Sequence, residues 1–136
     1  MIVIVAGSRS IKDYSIVKKT IEESGWKITY VVSGKAPGVD TLGEQWADEN
    51  GVKVKPFPAN WSDINVPGAV VRKNKYGYYN AVAGHLRNEE MAKVADALIL
   101  VWDGVSTGSA DMKSRAKKHK LRIFVYNLKT NTYSVE

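Results

Sequence analysis

Short, continuous apolar runs alternate along this chain with stretches of helical spacing. Ile2–Ala6 is wholly apolar and ends in Gly-Ser. Such a run predicts a parallel strand buried on both faces. Asp13 then precedes a stripe of Ile16, Val17, Thr20 and Ile21 that stops at Gly25, the pattern of a capped amphipathic helix. A second strand is predicted over Ile28–Val32, breaking at Ser33-Gly34. A helix follows over about 39–50, with Leu42, Trp46 and Ala47 inward and Gly51 at its C-terminal end. Val52–Lys55 reads as a short third strand.

Residues 56–80 break the rhythm. Pro56, Pro58 and Pro67, with several glycines and asparagines, argue against regular structure. Phe57, Trp61, Tyr76, Tyr78 and Tyr79 argue against disorder, so the stretch reads as a functional, lid-like segment. Helical spacing returns over about 81–94. Ala97–Trp102 is the most apolar strand, a helix is predicted over about 109–118, and Leu121–Tyr126 is the last core strand. Residues 132–135 could add an edge strand. Strands that alternate with helices imply βαβ units. The fold expected is α/β: a single Rossmann-like three-layer domain over 1–136, with a mostly parallel sheet of about five strands.

Composition narrows the function classes. The 136 residues are 44% hydrophobic and 25% charged, as in an ordinary globular domain. The absence of cysteine excludes disulfides, thiolate metal sites and a cysteine nucleophile, and two histidines are too few for a histidine zinc site. The N-terminal apolar run is too short for a signal peptide or a membrane span. A cytoplasmic protein without membrane contact, requiring no cofactor, is therefore expected. The net charge of +6 sits in the last stretch, where Lys113, Arg115, Lys117, Lys118, Lys120, Arg122 and Lys129 face only Glu136. Such a run is either a solvated helix face or an attractor for nucleic acid and other anions.

In an open parallel sheet, ligands bind at the carboxyl ends of the strands. Three turns there carry the candidate chemistry. The first is Gly7-Ser8-Arg9-Ser10, where glycine lets a ligand approach the backbone and Ser8 and Arg9 are suited to phosphate. The second, Ser33-Gly34-Lys35-Ala36-Pro37-Gly38-Val39-Asp40, opens a helix with two glycines four apart. It is neither a Walker A loop nor a GxGxxG fingerprint. Asp40 is either a favourable charge at the helix start or a reader of ribose hydroxyls, and Glu44 lies one turn on along the same face. The third turn, Asp103-Gly104-Val105-Ser106-Thr107-Gly108-Ser109, sets three hydroxyls at a helix start, where Ser109 could alternatively serve as a cap. Arg72, Lys75, Tyr76 and Tyr79 mark the candidate lid, a surface that suits base stacking or a single strand.

GSR after the first strand, SGKAPGVDTLGEQWA, FPANW, AGHLRNEEM and DGVSTGS, in that order, resemble the SLOG superfamily of Rossmann-like proteins. That superfamily is named for the Smf/DprA and Lonely Guy (LOG) proteins. The YspA/YpsA-related branch, frequent in bacteria and bacteriophages, is the most similar. The resemblance spans about residues 1–126 and implies a nucleotide-derived ligand over the sheet edge. It points to Gly7, Ser8 and Arg9, to Gly34, Gly38 and Asp40, to Arg87 and Asn88, and to Gly104, Thr107 and Gly108. The LOG motif Pro-Gly-Gly-x-Gly-Thr-x-x-Glu, which supports N-glycosidic hydrolysis, is not present in full, and Asp111 falls near its glutamate. Asp40, Glu44, Arg87 and Asp111 are the residues to consider if a bond is cleaved. The functional expectation is binding of an ADP-ribose-like ligand or nucleoside phosphate, as a sensor or sequestering protein. A nucleotide N-glycosidase, or phosphoribohydrolase-like enzyme, and a single-strand nucleic-acid binder are the alternatives. A homo-oligomer is expected.

Overall fold

The computed structural model describes residues 1–136. Its elements run β1 (Ile2–Gly7), α1 (Tyr14–Ser24), β2 (Tyr30–Ser33), α2 (Val39–Glu49), β3 (Lys53–Pro56), β4 (Val71–Asn74), β5 (Gly77–Asn80), α3 (Ala83–Val94), β6 (Ala97–Trp102), α4 (Thr107–Lys118), β7 (Arg122–Asn127) and β8 (Thr132–Val135). Six strands form the main sheet in the order β3-β2-β1-β6-β7-β8. All neighbours are parallel except β7 and β8. The α/β, mostly parallel expectation is met, with the edge strand at 132–135 making a sixth.

The period of two along each strand divides the core into two layers. Val3, Val5, Val31, Ile99 and Val101 face Val17 and Ile21 of α1 and Val39 and Ala47 of α2. Ile4, Val32, Leu98, Leu100, Ile123 and Val125 face Met91 and Ala92 of α3 and Met112 and Ala116 of α4. Ala97–Val101 has no solvent exposure, and burying each large apolar side chain there contributes about 1.5–3 kcal/mol. Right-handed crossovers account for the split, since β1 leads to β2 on one side and β6 to β7 on the other.

Local chemistry sets the element ends. Asp13 caps α1 by accepting from the Ser15 amide at 2.9 Å, and Gly25 closes it at φ 67°. Gly51, at φ 66°, follows the last turn of α2, and the Val52 amide returns to the Ala47 carbonyl. Two boundaries differ from the sequence reading. Strand β2 starts at Tyr30 because its pairing with β1 begins at Ile2 opposite Tyr30. Helix α4 starts at Thr107 because Ser106, not Ser109, holds the N-cap position, its carbonyl accepting the Ala110 amide.

The segment 56–80 is not wholly irregular. Its second half is an antiparallel hairpin, β4–β5, pairing Val71 with Asn80 through Asn74 with Gly77. The turn closes where Asn74 Oδ1 accepts the Tyr76 amide at 2.9 Å and Gly77 takes φ 119°. Asn80, 1% exposed, fastens the hairpin. Its amide donates to the Trp61 carbonyl at 2.7 Å, and its Oδ1 accepts the amides of Val70 and Val82 at 3.2 and 3.1 Å.

Candidate functional site

Strand β1 pairs with both β2 and β6, and the chain leaves it in opposite directions, which makes the β1–β6 boundary the topological switch point. A cleft of about 530 Å³ lies there, outside the carboxyl ends of the two strands. That volume is ordinary for a small-molecule site. The turn after β1 lines it with Gly7, Arg9 and Ser10, and the turn after β6 with Asp103 and Ser106–Ser109. Ala36 and Asp40 enter from the turn after β2, and Gly84, His85, Arg87 and Asn88 from the start of α3. Ala6, Met91 and Met112 supply apolar floor, and Trp61 closes one side.

Helix α4 brings the anion-binding geometry. The amides of Thr107, Gly108 and Ser109 have no carbonyl one turn earlier to receive them, and no other group in the chain accepts them. The positive end of the helix dipole adds to their effect on an anion. Asp103 holds this turn in shape, its Oδ1 accepting the amides of Val105 and Ser106 at 2.9 and 2.8 Å. These bonds hold the Asp103 carboxyl below its usual range.

Arg87 and Asp40 meet over Gly34. The Arg87 guanidinium donates to the Gly34 carbonyl, and its Nε donates to Asn88 Oδ1 at 3.1 Å. Asn88 Nδ2 donates to Asp111 at 3.0 Å, and Asp111 also accepts from Arg115 Nε at 2.9 Å. A chain of polar contacts thus runs from α4 through α3 to the turn after β2 and holds Arg87 in place. Gly34 is required by this crowding rather than by its own dihedral angles, since a Cβ there would lie 2.7 Å from Asp40 Oδ2 and against the guanidinium. Asp40 is 5% exposed and accepts the Ala36 amide at 3.2 Å. Burial pushes its carboxyl up to about 6, with the Ala36 amide and the Arg87 charge pulling the other way. Burial also lowers the Arg87 pKa, while Asp40 raises it.

Several sequence candidates serve the scaffold instead of facing the cleft. Ser8 is buried, its Oγ accepting the Asp103 amide at 2.9 Å and lying 3.2 Å from Ser106 Oγ. It therefore ties the first turn to the third. Ser33 donates to Glu44 at 2.6 Å, and Lys35 pairs with Glu44 at 2.7 Å, so Glu44 is engaged within its own turn. Gly38 and Val39 pack beneath the first turn. A Cβ on Gly38 would meet the Arg9 carbonyl, and Val39 is fully buried. Gly104 takes φ 88° and lies against Asn127 and Lys129. Asp111 sits behind the cleft, held by Asn88 and Arg115, with His85 Nδ1 at 3.9 Å.

The lid expectation shifts within its segment. Arg72, Lys75, Tyr76 and Tyr79 belong to the β4–β5 hairpin and do not line the cleft. Trp61, from the same stretch, does. Ser10, Ala36, Trp61, Gly84, His85, Met91 and Met112 are lining residues that the motifs did not single out. Position beside a glycine turn was the available signal for Ser10 and Ala36. Trp61 lies in a stretch without periodicity, where nothing local says which way a ring faces. The basic run near the C-terminus is partly paired: Lys113 and Lys117 to Glu136, and Arg115 and Lys118 to Glu89, where His119 also bonds, while Lys120, Arg122 and Lys129 form no ion pair.

No helix is long and apolar enough to cross a membrane. No curated protein matches the sequence. Among solved structures, DNA processing protein A (DprA) from Streptococcus pneumoniae is similar in fold, with a TM-score of 0.63 and 23% identity over 90% of this chain and 49% of that one. The chain thus spans about half the length of that structure. The likeness extends to the mostly parallel sheet and its flanking helices. Residues 1–63, which carry the first two glycine-rich turns, match the model of the YspA, cpYpsA-related SLOG family, and the SLOG resemblance read from the motifs is borne out there.

Proposed function

We propose that this protein binds a phosphate-bearing, nucleotide-derived ligand, such as ADP-ribose or a nucleoside phosphate, in the cleft between β1 and β6, as a sensor or sequestering protein. One observation carries the reading. The free amides of Thr107–Ser109, the guanidinium of Arg87 and the buried carboxyl of Asp40 converge on one cavity at the switch point. The amides and Arg87 suit phosphate oxygens, with Arg9 as an exposed second cation at the mouth. Asp40 suits a pair of ribose hydroxyls, which donate to an anionic acceptor.

Mass spectrometry of small molecules released from the purified, heat-denatured protein should show a nucleotide-derived species. Calorimetric titration with ADP-ribose and adenosine monophosphate should give binding that Asp40→Ala weakens by about 1–3 kcal/mol, the worth of a charged hydrogen bond. Unchanged affinity in that variant would remove Asp40 from the ribose. Absence of any binding by wild type would remove the reading.

One observation favours a second reading, N-glycosidic hydrolysis. Of the carboxyls considered for it, Glu44 and Asp111 are held in ion pairs away from the cleft. Asp40 is the one that faces the cavity, and its carboxyl is near half-protonated at mildly acidic pH. Such a group is suited to acid–base work or to steadying an oxocarbenium-like centre. Incubation with nucleoside monophosphates and NAD-type ligands should release free base if this reading holds, and release none if binding is the whole function.

A further inference from the structure

Trp61 is an anomaly among the four tryptophans. Trp26 and Trp46 pack on the core layer beneath α1 and α2, and Trp102 packs on the opposite layer while donating its indole N–H to the Ser106 carbonyl. Trp61 joins neither layer, is 42% exposed, and its indole N–H has no acceptor in the chain. A large aromatic left half in solvent forgoes much of the burial that makes tryptophan favourable in a fold. It is nevertheless held in place. Its carbonyl accepts the Asn80 amide at 2.7 Å, and buried Asn80 is itself fixed to Val70 and Val82. The ring lies over the first turn of α3. A Cβ built on Gly84 would be 3.6 Å from Trp61 Cη2 and 3.6 Å from Arg87 Nη2, so the indole and the guanidinium both lie against one glycine. Both line the cleft.

We propose that Trp61 is the platform on which a planar ring of the ligand stacks, so that the cleft selects a nucleoside phosphate over a bare sugar phosphate or inorganic phosphate. This rests on the phosphate-binding reading above and names what that reading leaves open, the part of the ligand away from the phosphate. An indole face attracts any aromatic base, and a ring whose backbone is anchored but which core packing does not cover keeps that face accessible. The division of labour follows from the lining. The amides of α4 and the Arg87 guanidinium suit the anion, Asp40 suits the ribose, and Trp61 is the one exposed tryptophan, tyrosine or phenylalanine ring in the lining.

The test compares ligands with and without a ring on the full chain. The four common nucleoside 5′-monophosphates, ribose 5-phosphate and inorganic phosphate are titrated by calorimetry into wild type, Trp61→Ala and Trp61→Phe. Thermal melts confirm that each variant is folded. Wild type should bind at least one nucleotide on the order of tenfold or more tighter than ribose 5-phosphate, the span expected of one stacked base. Trp61→Ala should bring that nucleotide down to the ribose 5-phosphate level and leave ribose 5-phosphate itself unchanged. Trp61→Phe should keep most of the preference while losing the indole emission change on binding. Equal affinity for ring-bearing and ring-less phosphates in wild type overturns the proposal, and so does an equal loss of both in Trp61→Ala. In either case the phosphate-binding reading stands. If neither kind of ligand binds wild type, that reading falls and the stacking proposal falls with it.

Discussion

Asp40 shows how one buried side chain ties the site to the stability of the fold. Its carboxyl is 5% exposed and pushed up to about 6 by burial, against an ordinary value of 3.8. A carboxyl that holds its proton more tightly when folded stabilises the fold in its neutral form. That contribution is complete below pH 3.8, fades as pH rises, and is lost above about 6. The shift corresponds to about 3 kcal/mol. Asp40→Asn is neutral at every pH, so the stability difference between wild type and variant isolates the effect. Urea denaturation across this range should show wild type losing about 3 kcal/mol relative to Asp40→Asn between the two limits, with a constant difference above them. Glu89, held down to about 2 chiefly by its hydrogen bond to His119, acts in the opposite sense at lower pH, but it is present in both proteins and cancels. A pH-independent difference would show that the Asp40 pKa is the same in the folded and unfolded chain. An anion bound beside it would raise its pKa further, so the same carboxyl links ligand affinity to pH.

At the scale of elements, the site depends on how closely the turns after β1 and β2 approach each other. Gly38 has φ 83° and ψ −129°, a region essentially closed to other residues, and a Cβ there would stand 2.6 Å from the Arg9 carbonyl. Gly51 also has positive φ, 66°, but nothing lies within 4 Å of its missing Cβ. Gly51→Ala should therefore cost about 1 kcal/mol, the left-handed penalty alone. Gly38→Ala should cost about 3 kcal/mol or more, since a backbone collision is added to a worse conformation. Chemical denaturation of the two variants checks the order, and equal costs would mean that the turns move apart freely. Glycine spacing displayed both positions in the sequence but could not rank them, because the ranking depends on a contact between segments about 30 residues apart in the chain. The same limit explains the other misreadings. The apolar runs of β1 and β6 and the stripe of α1 were legible because burial on both faces, or on one, writes a period into local sequence. The β4–β5 hairpin was not, because β4 is wholly exposed, the one buried residue of β5 is the polar Asn80, and neither strand carries an apolar alternation. Ser8 was legible as a turn residue but not as a tie to Asp103, a partner 95 positions away.

At the scale of the molecule, charge and topology make different forecasts about where a ligand would be felt. The excess of +6 lies toward the C-terminus, yet Lys113, Arg115, Lys117 and Lys118 are committed to Glu136, Asp111 and Glu89. Lys120, Arg122 and Lys129 form no ion pair, and neither do the hairpin cations, of which Lys73 and Lys75 lie over the rings of exposed Tyr78 and Tyr76. A single strand stacking on the hairpin tyrosines would bind with an affinity that falls steeply with salt. A nucleotide at the switch point would meet a different set of atoms. The amides of Thr107, Gly108 and Ser109 should exchange hydrogen readily in the free protein because no internal acceptor protects them. Saturating nucleoside phosphate should slow exchange at those three amides and raise the melting temperature by mass action, by an increment that grows with ligand concentration. Residues 71–80 should be unaffected, since the hairpin does not line the cleft. Exchange measured residue by residue, with nucleoside phosphate and then with a single-stranded oligonucleotide, separates the two. Protection confined to the start of α4 assigns the site to the β1–β6 boundary. Protection confined to the hairpin under both ligands would move the functional surface off the sheet edge, and the convergence of the three turns would then be a feature of the scaffold.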